Sequence, residues 1–266
     1  MLEVAIFIND KRKSEFKSEL LVLENLLASK SLNFNYIKED FCENKYDLLI
    51  AIGGDGTILR AVDLINNIPV LGVGLGYLGF LAETTLGEMP IVIDKLIKHE
   101  YALDKRKLLQ IENDSKIYYG LNEVVVKSDS FNMTSLEMYI NDEYITTYKA
   151  DGLIVSGPTG STAYNLSVGG PIIFPDTEVL VISPICPHSL NVRPLVISAK
   201  DRVKVQSKDN VFFAVDGKPK MLVYKNGISV TFSTRFVEFV RFDSSGFINS
   251  LRDKLKWSGS FKEMKD

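Results

Sequence analysis

Histidine and cysteine are scarce in this chain, and their scarcity removes several kinds of chemistry at once. Among 266 residues there are two of each. Cys42 and Cys186 stand far apart and outside any metal-ligand spacing, so free thiols in a reducing compartment are expected rather than a disulfide framework or a zinc cage. His99 and His188 fall in no triad-like or metal-ligand spacing, and each reads as a surface or structural residue. Long apolar runs are missing too. No stretch approaches the roughly 18 apolar residues of a spanning helix, so no membrane span is expected. The start, Met1 to Ile8, is apolar but short and turns polar at Asn9, without the basic n-region of a signal peptide. Nor does one sign of charge dominate: 31 Lys and Arg against 34 Asp and Glu leave a net charge of -3. Such a balance gives no electrostatic footprint for nucleic acid or anionic lipid. The expectation is a soluble cytoplasmic protein that holds any acidic small molecule with local groups.

What is present suits a globular fold, with 45% hydrophobic and 24% charged residues, an ordinary balance for a soluble core. The first hundred residues alternate strand and helix patterns. Val4 to Ile8, Phe34 to Ile37, Leu48 to Ile52 and Val70 to Val73 read as strands. Ser14 to Lys30, Thr57 to Ile65 and Met89 to Lys98 read as helices. Apolar strands alternating with helices predict a parallel sheet covered on both faces. After about residue 100 short strand patterns follow one another, separated by turn signals such as Asn141-Asp142, Asp216-Gly217 and Asn226-Gly227, which predicts antiparallel β structure. Met221 to Tyr224 reads as one of these strands, and Ile228 to Phe232 and Phe236 to Arg241 as two more. Gly246 to Trp257 returns to helical spacing through Phe247, Leu251 and Leu255. The expected architecture is α/β plus β. A Rossmann-like α/β domain over residues 1–100 precedes a β-rich, sandwich-like domain over 101–244, and the tail 245–266 returns to the first domain as a helix.

Four segments could carry chemistry. In the first, the apolar strand Leu48 to Ile52 ends in Gly53-Gly54-Asp55-Gly56-Thr57 and feeds a helix. Glycines admit close approach of a ligand, and the free amides of such a turn and helix start suit a di- or triphosphate. Asp55 is the unusual member, because a carboxylate among phosphate-binding amides repels phosphate. Its uses are to accept a proton from an attacking hydroxyl or to position Mg²⁺, with a plain helix N-cap as the bland alternative. The strand and the two preceding glycines favour the functional use. The second segment, Gly74-Leu-Gly76-Tyr-Leu-Gly79, matches a dinucleotide fingerprint in letters only. It does not follow the first strand, and Phe80-Leu81-Ala82-Glu83 is a poor helix start. Its glycines read as a loop beside Asp55, with Phe80 available to pack on a ligand.

The third is Asn122-Glu123 at the head of Val124-Val125-Val126, a pair able to bind ribose hydroxyls or an adenine edge; a polar strand end is the commoner reading. The fourth runs from Lys149 to Pro171 and holds Ser156-Gly157-Pro158-Thr159-Gly160-Ser161-Thr162-Ala163-Tyr164. Its hydroxyl residues could simply cap a short helix, but so many small side chains around one tyrosine suit a close-fitting ligand surface, with Lys149 and Asp151 flanking it. Neither a P-loop nor the motif set of protein kinases occurs.

Together these motifs resemble the NAD kinase family. The segments are Gly53 to Thr57, Leu121-Asn122-Glu123, Asp151-Gly152, Pro158 to Tyr164 and Gly169-Gly170-Pro171, continued by Ser183-Pro184, Arg193 to Val196, Asp216-Gly217 and Leu251 to Trp257. The Gly-Gly-Asp-Gly loop is shared with lipid kinases and phosphofructokinases, whereas Thr159 to Tyr164 is more diagnostic. The resemblance implies transfer of the ATP γ-phosphoryl to the 2′-hydroxyl of the adenosine ribose of NAD, with a divalent cation, Mg²⁺ foremost. It implies Asp55 as proton acceptor, Gly56 near the dinucleotide and Arg60 at phosphate. Asn122 and Glu123 would hold ribose and adenine. Asp151, Thr162, Ala163, Tyr164, Asn165, Leu166 and Ser167 would bind NAD, with Lys149 and Lys218 as further contacts. No protein metal ligands are expected, and a homodimer or homotetramer is. The chain departs from the family pattern in having Gly74 where Asn is frequent, and Ser156-Gly157-Pro158 where Ser-Thr-Pro is usual. A lipid kinase of the diacylglycerol or sphingosine type, or a non-catalytic dinucleotide sensor, are the alternatives.

Overall fold

The computed structural model describes residues 2–9, 13–38, 45–65, 67–76, 79–128, 132–222, 227–242 and 246–256. Cys42, Tyr77, Leu78, Tyr224, Asn226 and Trp257 lie outside them. The chain forms two compact units, one of Met1–Lys105 with Val237–Asp266 and one of Arg106–Phe236.

The first unit is the expected α/β arrangement. Its elements are β1 (Glu3–Ile8), α1 (Lys17–Ser29), β2 (Asn33–Tyr36), β3 (Leu48–Ile52), α2 (Asp55–Val62), β4 (Val70–Gly74), β5 (Thr84–Thr85) and α3 (Met89–Ile97). The strands pair in parallel in the order β4-β3-β1-β2, and β5 adds to β4. Both β3 and β4 are buried along their whole length, as parallel strands covered on two faces must be. Leu20, Leu23 and Leu27 turn the buried stripe of α1 toward them, and Met89, Val92, Ile93 and Leu96 do the same for α3.

The second unit is all but strands, the first four residues of β6 and the last five of β17 belonging to the first unit: β6 (Ala102–Asn113), β7 (Lys116–Gly120), β8 (Glu123–Ser128), β9 (Thr134–Ile140), β10 (Glu143–Ala150) and β11 (Gly152–Ser156) come first. A 3₁₀ turn at Thr159–Thr162 and the short α4 (Tyr164–Ser167) follow, then β12 (Val179–Ile185), β13 (Leu195–Ser198), β14 (Val203–Ser207), β15 (Val211–Val215), β16 (Lys218–Leu222) and β17 (Ile228–Arg241). One antiparallel sheet runs β13-β12-β11-β8-β15-β16. Facing it, β10-β9-β14-β17 pair antiparallel, with the β6-β7 hairpin joined to β17. A core including Leu109, Val124, Leu136, Leu153, Ile182, Phe213 and Val230 fills this sandwich-like unit. Asn141 and Asp142 both take positive φ, as do Asp216 and Gly217, the geometry of two-residue hairpin turns.

Several boundaries differ from expectation: the β-rich unit spans Arg106–Phe236 rather than 101–244, and α1 begins at Lys17 rather than Ser14. Helix α2 begins at Asp55 rather than Thr57. The two patterns after Ile228 form one 14-residue strand, β17, because Ser233 is buried within it and the polar break between the patterns is satisfied without a turn. β16 begins at Lys218, next to the turn, rather than at Met221. The last described helix, α5 (Gly246–Lys254), belongs to the first unit.

Candidate functional site

In the first unit the site grows from the end of β3. Gly54 caps α2 in an extended conformation with no side-chain cap bond, so Asp55 is the first helical residue and not the cap. The capping reading of Asp55 is thereby overturned. The carboxylate reaches instead across to the segment after β4. Oδ2 accepts the Phe80 N–H at 3.0 Å and Oδ1 accepts the Leu81 N–H at 3.1 Å. Gly79 makes this approach possible, since a Cβ there would stand 1.8 Å from Oδ1 of Asp55. Residues 79–83 run on to β5 without forming a helix, so the last glycine of the apparent fingerprint, Gly79, makes room for Asp55 rather than opening a nucleotide-binding helix. A third partner comes from α5: Lys254 Nζ lies 3.3 Å from Oδ2. The Thr57 N–H already bonds to the Gly54 carbonyl at 2.8 Å; the amides before it, from Gly54 to Gly56, precede the first intrahelical acceptor and suit an anion. Gly56 and Arg60 are both exposed and lie one turn apart on the same helix face.

Behind this segment stands a partly buried charge network. Arg241 donates to Glu83 at 3.0 Å and to Asp104 at 3.3 Å, and Glu83 also accepts the Phe242 N–H at 2.7 Å. Burial of a paired guanidinium is tolerable when its donors are met, and here they fix the chain carrying Phe80 and Leu81.

In the second unit the site forms at one end of the β8-β11-β15 sheet. Register sets Glu123 opposite Ser156 and Val124 opposite Val215. Asn122, Glu123, the 3₁₀ turn, α4 and Lys218 therefore cluster at that end. Asp216 organises it. Its carboxylate accepts the N–H groups of Leu121, Asn122 and Glu123 at 2.7, 2.8 and 3.1 Å. Gly160 presses on the same strand entry, where a Cβ would meet the Asn122 carbonyl at 2.0 Å. Glu123 accepts the Tyr164 backbone N–H, yet burial and the neighbouring Asp216 push its carboxyl up to about 8. Its Oε2 is buried without a protein partner, an acceptor or donor left for something else.

The predicted residues divide under this geometry. Asn122, Glu123, Thr162, Ala163, Tyr164, Leu166, Ser167 and Lys218 come together. Asn165 turns inward, fully buried: its amide donates to the Ser161 and Pro171 carbonyls at 3.1 Å, and its oxygen accepts the Ser183 hydroxyl at 2.6 Å. It shapes α4 from within. Lys149 and Asp151 stand at the far end of β11, since Gly152 pairs with Lys127 while Ser156 pairs with Glu123. At about 3.3 Å per residue they are more than 10 Å from Glu123 along the sheet, so they do not flank the tyrosine turn within one chain. Sequence reading placed the loop holding Phe80 beside Asp55 but missed the Phe80 and Leu81 N–H groups and Lys254 as partners of its carboxylate, and it gave Asp216 no role beyond a turn within a family motif. The Asp-Gly pair was a visible signal of that turn; the three bonds its carboxylate makes were not.

Two family models match: the ATP-NAD kinase N-terminal domain over residues 6–101 and the ATP-NAD kinase C-terminal domain over 121–242. An NAD kinase of Caldanaerobacter subterraneus subsp. tengcongensis is 40% identical over 224 residues, 80% of this chain and 79% of its own. One of Caldicellulosiruptor bescii is 36% identical over 264 residues, 96% of this chain and the whole of its own. Among solved structures, yeast NADH kinase complexed with NADH superposes with a TM-score of 0.85 at 26% identity, over 99% of this chain and 90% of that one. An NAD kinase from Archaeoglobus fulgidus in complex with ATP has the same fold, with a TM-score of 0.78 at 22% identity, over 97% of this chain and 100% of that one.

Proposed function

The chain belongs to the NAD kinase family, and from that premise we propose how its residues divide the work of phosphorylating NAD. ATP is the donor and the 2′-hydroxyl of the adenosine ribose is the acceptor, so the product is NADP. Asp55 accepts the proton of that hydroxyl as its oxygen attacks the γ-phosphorus, the bond to the bridging oxygen breaks, and ADP leaves. The observation that most supports this role is a carboxylate at the first turn of a helix whose free amides suit phosphate. That carboxylate is fixed by the Phe80 and Leu81 N–H groups and is not spent on capping. Phosphoryl transfer depends mainly on positioning and charge stabilisation, and both are supplied here by rigid backbone. Gly56 lets the dinucleotide come close, and Arg60 meets phosphate from the same helix face.

Asn122 and Glu123 hold ribose and adenine, with the open Oε2 of Glu123 as the buried contact. Thr162, Ala163, Tyr164, Leu166 and Ser167 line the dinucleotide, Asn165 shapes their helix from within, and Lys218 adds a polar contact. A divalent cation fits as one carried in on the phosphates of ATP. Among the described residues no three His, Cys, Asp or Glu gather as a cage, and Mg²⁺ commonly binds through one carboxylate plus substrate phosphates. We read the protein as a cytoplasmic homo-oligomer; no described helix is long and apolar enough to cross a membrane. A neighbouring copy would offer Lys149 and Asp151 to a dinucleotide whose other end lies at Glu123. Incubation with ATP, Mg²⁺ and NAD, read by an NADP-specific dehydrogenase, tests the reaction and its 2′ position together. NADP accumulation is expected, and ADP release without NADP would overturn the acceptor.

A further inference from the structure

We propose that Lys254, on α5, is a further residue of the phosphoryl-transfer site, whose ammonium compensates the Asp55 carboxylate so that a polyphosphate can approach it. This rests on Asp55 being the proton acceptor, as read above. The difficulty it resolves is electrostatic. The amides opening α2 suit phosphate, yet the first residue among them carries a negative charge. Two like charges brought side by side repel, which opposes what the amides offer.

The geometry supplies the counter-charge at the required place. Lys254 Nζ is 3.3 Å from Asp55 Oδ2 and 4.4 Å from the centre of the Phe80 ring. A ring face attracts an ammonium held in this way. Phe80 is the residue whose N–H also binds Asp55, and its ring packs beside Phe247 of the same helix, α5, at 6.2 Å. Carboxylate, ring and ammonium thus form one constellation, in which Lys254 is held by two contacts. Both side chains of the pair remain about a third exposed, 29% for Lys254 and 32% for Asp55. A partly exposed ion pair adds little to stability, so stability is a poor account of the arrangement. An ammonium has three donors, and the carboxylate takes one.

The charge then follows the reaction. While Asp55 is ionised, Lys254 neutralises it and the triphosphate can settle on the α2 amides. As the hydroxyl proton passes to Asp55, the carboxyl becomes neutral. The ammonium is then released to the transferring phosphoryl group, whose charge is spread over its three equatorial oxygens.

The test is equilibrium binding of Mg²⁺ and a non-hydrolysable ATP analogue to the full-length chain at saturating NAD, with Lys254→Met, Lys254→Arg, Asp55→Asn and the Lys254→Met/Asp55→Asn double variant. Lys254→Met is expected to weaken the analogue about tenfold while leaving NAD affinity and the urea midpoint unchanged, and Lys254→Arg should restore most of the loss. In the Asp55→Asn background the same Lys254→Met change should cost far less, because no carboxylate needs compensation. Unchanged analogue binding in Lys254→Met would overturn the proposal. So would an equal loss in both backgrounds, which would make Lys254 an independent phosphate contact, or a parallel fall in NAD affinity and midpoint, which would make it structural. None of these measurements needs turnover, so their failure is separate from a failure of Asp55 as the proton acceptor.

Discussion

Glu123 is the residue at which burial and charge conflict most. It sits beside Asp216, whose own charge is spread over three backbone N–H groups, and its carboxyl is pushed up to about 8 by burial first and Asp216 second. A carboxyl whose folded value lies above its unfolded one, ordinarily about 4.3, binds protons more tightly in the folded state. Its contribution to stability is therefore complete below pH about 4.3 and is lost as pH rises through about 8. Glu123→Gln keeps the neutral form at every pH. Urea unfolding should show the variant gaining on the wild type between pH 5 and pH 9, with little difference at pH 5. A constant difference across that range would mean that Glu123 is ionised throughout. The identities of Asn122 and Glu123 were legible in the sequence as a polar pair at a strand entry. The cause of their fixed geometry was not, because Asp216 lies more than ninety positions away and no local pattern reports such a contact.

At the scale of elements, the segment Gly79 to Glu83 decides where Asp55 points. It is clamped from behind by Arg241 through Glu83 and fitted in front by the missing Cβ of Gly79. Gly79→Ala forces either the segment or Asp55 to shift. The expected cost is about 1–3 kcal/mol of stability, as for other overpacked sites, with a larger proportional loss of kcat, since displacements near 1 Å at reacting groups cost about a hundredfold. Paired measurement of the thermal midpoint and kcat checks this; a variant with normal kcat would show that the segment does not set the Asp55 geometry. The glycines of this region were legible as a motif, and their position after a strand other than the first excluded the dinucleotide fingerprint. That they form a loop beside Asp55 was legible as well; the need for a missing Cβ at Gly79 was not, because it depends on a side chain 24 positions earlier in the chain. Asn165 shows the converse: a polar residue within a ligand-like run turned out to be wholly internal, since hydroxyl and amide side chains look alike in sequence whether they face a ligand or a buried carbonyl.

For the whole molecule, periodicity carried most of the fold. The wholly apolar β3 and β4 announced a covered parallel sheet, and closely spaced strands with Asn-Asp and Asp-Gly turns announced antiparallel structure. Periodicity could not show that β17 is continuous, because a buried serine within a strand resembles a turn when its partners are unknown. Nor could it bring α5 to Asp55, 199 positions away. The chain is thus an NAD kinase, and the proposed chemistry rests on one carboxylate, Asp55, held by segments distant in sequence within a single unit. Single-turnover formation of NADP by Asp55→Asn tests this most directly, with NAD and ATP-analogue binding and the urea midpoint measured on the same preparation. Loss of the proton acceptor should slow the reaction by about a hundredfold or more while both ligands still bind and the fold is kept. A near-wild-type rate would contradict the account.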